Sequence, residues 1–117
     1  MNRFMKRIDT LNAYDLALEN YLVVLNNYEI LFKAKLDLLN KEGDDVTKYL
    51  LYRQRWNWTI ECRTKCKNLK NEIDRVISDK KLTEKDFLKI VNEYVNVFAD
   101  FQALNTCSET EIKFIFE

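Results

Sequence analysis

Residues 11–39, LNAYDLALENYLVVLNNYEILFKAKLDLL, decide the fold. Leu11, Tyr14, Leu18, Tyr21, Leu25, Tyr28, Phe32 and Leu39 recur there at spacings of three and four, and Lys35 is the only polar residue in the series. An α-helix closes a turn every ~3.6 residues, so this spacing lines them along one side. The pattern is a heptad seam, widened on one flank by Ala17, Val24, Leu31 and Leu38. Asn12, Glu19, Asn20, Asn26, Asn27 and Lys33 mark the wet side. So broad an apolar arc predicts contact with two neighbouring helices. The helix is expected to begin after Asp9 or Thr10, whose side chains can accept from the free amides of a first turn, and to cover residues 11–39.

The rest of the chain agrees with helices. Its 117 residues hold no proline and one glycine, Gly43, whereas hairpins and doubly wound sheets need such punctuation often. Gly43, inside Lys41-Glu42-Gly43-Asp44-Asp45, suits a left-handed cap, with Asp44 or Asp45 capping the next helix. That helix is expected over residues 46–78. Val46, Tyr49, Trp56 and Ile60 form one stripe on it; Leu51, Trp58, Cys62, Leu69, Ile73 and Val76 form another. Trp56 and Trp58 therefore point to nearly opposite sides. Either the helix breaks near residues 60–62, or its first half lies between the core and a second surface.

Asp79-Lys80-Lys81 predicts a turn. Thr83 and Asp86 then have capping-box spacing, with Leu82 placed to staple onto Phe87. The third helix is expected over residues 84–104, burying Phe87, Val91, Tyr94, Phe98 and Phe101 with Leu88 and Val95 on the flank. Ser108 and Glu111 repeat the capping spacing, which predicts a short final helix over residues 109–116. The β-branched and aromatic run Ile112–Phe116 leaves an extended tail as the alternative. The whole reads as one all-α domain over residues 1–117, an antiparallel bundle of three long helices plus that C-terminal element.

Composition removes most catalytic chemistry from the expectation. Without histidine, Ser-His-Asp, Cys-His and His-ligated metal sites are excluded. One glycine cannot build a phosphate-cradling loop. Asp15 and Glu19 stand one turn apart, with no matching carboxylate pair on another helix, and read as solvated surface. Cys62, Cys66 and Cys107 offer three thiols where structural zinc wants four ligands, so they read as small core residues; the basic neighbours Arg63, Lys65 and Lys67 carry a redox alternative. The expectation is no enzyme, no cofactor and no metal. Every apolar run in residues 16–39 is interrupted before a membrane could be spanned, and the N-terminus lacks a secretory core, which predicts a cytoplasmic protein away from membranes.

Charge supplies the candidate site. Net charge is zero, yet residues 1–45 carry six Lys/Arg against eight Asp/Glu, residues 46–70 seven against one, and residues 71–117 six against ten. Lys48, Arg55, Arg63 and Lys70 recur at spacings of seven and eight, Arg53 and Lys67 border them, and Tyr52, Trp56 and Trp58 are interleaved. The plain reading pairs these cations with carboxylates of the other helices. The functional readings are a docking face for an acidic protein, or phosphate contacts with base stacking on nucleic acid. The candidate binding residues are Lys48, Arg53, Arg55, Trp58, Arg63, Lys67 and Lys70. The leading expectation is a helical binding or regulatory protein acting through protein–protein contacts, with a homodimer through the doubly apolar half of helix two as companion. Thirteen Lys against six Arg, with abundant Asn, suits an AT-rich genome and a phage- or mobile-element-type inhibitor or adaptor of nucleic-acid-handling machinery. A nucleic-acid-binding protein and a structural subunit of an oligomer are the alternatives.

Overall fold

A computed structural model describes the backbone of residues 3–42 and 46–116 and the side chains of residues 3–39 and 46–108. Three helices make up the described chain: α1 (Arg3–Glu42), α2 (Val46–Asp79) and α3 (Glu84–Phe116), with no strand among the described residues. They form a rod of 60 × 22 × 18 Å, whose length is that of forty residues of helix at ~1.5 Å each. Gly43, Asp44 and Asp45, expected to cap at the first turn, lie outside the described residues.

The predicted seam of α1 is the spine of the core. Leu11, Leu18, Leu25 and Phe32 are wholly buried, and Leu39 nearly so. The helix starts a full turn or more before the expected cap. Phe4 continues the seven-residue column backwards from Leu11, and Thr10 donates its hydroxyl to the Lys6 carbonyl inside the helix instead of capping it. Tyr14 and Tyr21 lean toward α3, where Tyr14 stacks on Tyr94 at 3.9 Å and Tyr21 on Phe101 at 4.2 Å. The Tyr21 and Tyr94 hydroxyls meet at 3.0 Å; burial, then that bond, pushes the Tyr21 hydroxyl well above its ordinary pKa. So α1 does serve two neighbours, as its breadth implied.

The helix α2 is unbroken. It buries Tyr52, Thr59, Cys66 and Ile73 in one column and Cys62, Leu69 and Val76 in the next, sinking into the groove between α1 and α3. Thr59 is tolerated there because its hydroxyl donates to the Arg55 carbonyl at 2.8 Å. Val46, expected in an apolar stripe, is exposed at the helix start. At the far end Lys80 takes a left-handed φ of 55° and its amide bonds the Ile77 carbonyl, which does the work a glycine cap usually does.

The start of α3 follows the sequence closely. Thr83 accepts the Asp86 amide at 3.1 Å, and both Leu82 and Phe87 pack onto the core. Its buried column, however, is Ile90, Val97 and Leu104, with Phe101 beside it; Phe98, expected inside, is 38 % exposed. The aromatic residues fill the wider gap toward α1, leaving the tight column to the aliphatics. Residues 105–116 continue α3 without a break, so neither a separate C-terminal helix nor an extended tail forms. Ser108, expected as a cap, is a buried helix-interior residue.

Candidate docking surface

The seven candidate residues do not share one face. Arg63 pairs with Glu29 of α1, both side chains about three-quarters buried. Lys70 reaches Asp15 of α1 at 3.0 Å and Asp74 of its own helix at 3.3 Å. The bond to Asp15 raises the Lys70 pKa, while the Asp15 carboxyl also sits above its ordinary range because burial and Asp74 outweigh the shared ammonium. Asp15, expected on open surface with Glu19, is thus tied into the α1–α2 seam. On the other edge of α2, Arg55 lies over the Trp58 ring at 5.6 Å, and the Trp58 indole donates to Asp100 of α3 at 2.9 Å. Half of the row is spent on holding helices together.

Both tryptophans pack within the chain, though the Trp56 indole nitrogen is buried without a hydrogen-bond partner among the described residues. Trp56 packs on the cluster of Tyr28, Phe32, Leu36, Leu39 and Tyr52, under the Lys33 ammonium at 5.5 Å. Trp58 packs on the other core cluster, toward α3. The first half of α2 therefore sends its two tryptophans to two different core clusters, while Val46, Leu50 and Leu51 stay exposed.

The thiols sit beneath this seam. Cys62 and Cys66 are free and fully buried; Cys107 is partly buried. The Cys62 thiol is pushed far above its ordinary pKa by its hydrogen bond to Cys66, by burial and by the Asp100 carboxylate. One Asp100 oxygen is buried beyond hydrogen-bond reach of any partner among the described residues, with the Lys65 ammonium 3.9 Å away. Among the described residues no three His, Cys, Asp or Glu gather as metal ligands would.

What stays open is the α1-side edge and start of α2. Lys48, Arg53 and Lys67 are exposed and form no ion pair with a described carboxylate. Arg53 stands between two shallow concavities. One is lined by Leu50, Gln54, Asn57, Trp58 and Glu61; the other by Lys33, Leu36, Asp37, Tyr49 and Trp56. Leu50 is 57 % exposed one turn before Arg53 and belongs to neither stripe expected of α2. A leucine off both apolar stripes was the available signal. No described helix is long and apolar enough to cross a membrane. Compared with known proteins, the chain matches no family model, no curated protein and no solved structure.

Proposed function

We propose that this chain is a non-enzymatic binding protein that acts through protein–protein contacts, docking a partner on the first half of α2 around Arg53. The frame is an antiparallel bundle, supported by the order of pairings: Asp15 with Lys70 and Glu29 with Arg63 on α1 and α2, Trp58 with Asp100 on α2 and α3. The observation that carries the reading is Arg53 itself, an exposed guanidinium without a described carboxylate, set between two concavities floored by tryptophan and beside an exposed leucine. Arginine and tryptophan surrounded by apolar area are the composition of interface hot spots, and a cation without an intramolecular partner selects an acidic counterpart. Lys48 and Lys67 extend the same positive field.

Nucleic acid is the weaker occupant. Each neutralised phosphate contributes to affinity, and Arg63 and Lys70 are already neutralised by Glu29 and Asp15. Inhibition or adaptation of nucleic-acid-handling machinery falls within the protein-binding class, and one experiment addresses it. Tagged protein recovered from its own cell extract is expected to bring down a protein partner with or without nuclease. Arg53→Glu/Lys67→Glu should weaken that recovery at least about tenfold, the equivalent of ~1.4 kcal/mol, with the melting temperature unchanged. Recovery that vanishes with nuclease, or that ignores the double reversal, would overturn the reading.

A further inference from the structure

The opposite side of the rod carries a different surface. In a chain with 32 % charged residues, positions 13, 16, 20, 23, 27, 30 and 34 of α1 read Ala, Leu, Asn, Val, Asn, Ile and Ala. All are exposed and none is charged. Their alternating spacing of three and four makes a second heptad seam, turned away from the buried one. On α3, positions 88, 92, 95, 99 and 102 read Leu, Asn, Val, Ala and Gln in the same spacing, again exposed and uncharged. Several charges of these helices are drawn to α2, among them Asp15, Glu29, Lys33 and Lys35 of α1 and Asp100 of α3, while Lys89 and Glu93 pair with each other on the surface of α3.

Leu16, Val23 and Ile30 are 62, 58 and 66 % exposed, and Leu88, Val95 and Phe98 are 54, 55 and 38 % exposed. Phe98, at the edge of the α3 face, meets the ring of Tyr21 from the core-facing seam of α1. Spread over the two helices, these six expose on the order of 600 Å² in all, against the ~800 Å² that each partner gives a standard interface. A helix apolar on both faces belongs in an interior, and α1 alone among its own chain's helices cannot provide one for its outer side.

We propose that the outer faces of α1 and α3 form a homodimer interface, occupied by the same faces of a second copy. The chemistry of the face selects that occupant. Within residues 13–34 of α1 and 88–102 of α3 the seams offer a charged partner no counter-charge; the charges that continue them, Lys6 and Asp9 on α1 and Lys85 on α3 among them, stand at their ends and not as the lysine or arginine rim of a membrane-surface helix. A neutral seam fits a copy of itself. Its polar members are amides, Asn20, Asn27, Asn92 and Gln102, each able to donate and to accept, so that an amide of one copy satisfies an amide of the other. Large apolar residues at one seam position with Asn or Ala at the other is the coiled-coil arrangement in which buried Asn fixes register and oligomer number. The dimer leaves Arg53 and the first half of α2 open on its outside, so this interface and the docking surface stand or fall separately.

Sedimentation equilibrium of the full chain over about 1–100 µM tests it, a range in which an interface of this size is expected to be populated. The wild type is expected at twice the chain mass. Val23→Lys and Val95→Lys, both at exposed positions, are expected to keep the helical circular dichroism spectrum and to weaken association at least about 100-fold, giving monomer. Arg53→Glu should remain dimeric. A monomeric wild type at the highest concentration would overturn the proposal, and so would a dimer indifferent to both lysines.

Discussion

Phe32→Ala is expected to lower the melting temperature by about 10–20 °C, read by circular dichroism. Phe32 is fully buried, and it is the largest such side chain among the described residues. Its ring lies 6.2 Å from both Tyr28 and Tyr52, which places it between α1 and the first half of α2. Truncating a buried phenylalanine costs about 3–5 kcal/mol through lost transfer and the cavity left behind. In a domain of roughly this size each kcal/mol shifts the midpoint by about 4 °C. The cluster around Phe32 is small, so little can collapse into the void. Leu50→Ala, at an exposed position two residues from Tyr52, should stay within about 0.5 kcal/mol of wild type. Because Trp56 packs on the same cluster, Phe32→Ala is also the variant in which the first half of α2 loosens first.

The second large effect is a charge reversal inside the α1–α2 seam. Arg63→Glu sets a carboxylate against Glu29 where the native side chains are only 23 and 26 % exposed. Removing one partner of a fully buried pair costs about 3–5 kcal/mol; with a quarter of each group still wet, about 2–3 kcal/mol is the expected loss. Glu29→Arg alone should cost a similar amount. The double swap Arg63→Glu/Glu29→Arg should recover most of it, since the pair is restored with its sense reversed. Urea unfolding of the four proteins gives the coupling directly. Arg75→Glu is the control, because Arg75 meets Glu72 and Asp79 on the open surface, where exposed pairs are worth little.

The helices themselves were legible because their signals are local. Leu11, Leu18, Leu25 and Phe32 announce one face by spacing alone, and Thr83 announces a cap by its chemistry and its distance from Asp86. Misreadings came where two patterns compete on one helix. In α3 the aromatic series from Phe87 to Phe101 drew attention from Ile90, Val97 and Leu104, yet the smaller aliphatics take the tight contact and Phe98 is left at the rim. Leu16, Val23 and Ile30 form a weaker series, each flanked in sequence by residues of the stronger seam. The break expected after Leu104 did not occur, since cap-like residues such as Ser108 are compatible with a helix interior when neighbouring turns are already formed.

The basic row was legible as composition, and the plain reading, cations paired with carboxylates of the other helices, holds for Arg63 and Lys70. Spacings of seven and eight keep Lys48, Arg55, Arg63 and Lys70 close on an isolated helix, but α2 lies in a groove, and a groove has two banks. Arg63 and Lys70 fall on the α1 bank, where Glu29 and Asp15 wait; Arg55 falls toward Trp58 and α3. Which bank holds the carboxylates is a tertiary fact. It depends on the order of packing, which periodicity along one helix does not encode.

Arginine footprinting of the native protein with a dicarbonyl reagent, read residue by residue by mass spectrometry, tests most directly whether α2 divides into a committed part and an open part. The division predicts that Arg53 is modified at nearly the rate of the unfolded chain, while Arg63 is protected at least about tenfold by its engagement with Glu29. Equal rates at Arg53 and Arg63 would contradict it, because the row would then be a single free face after all.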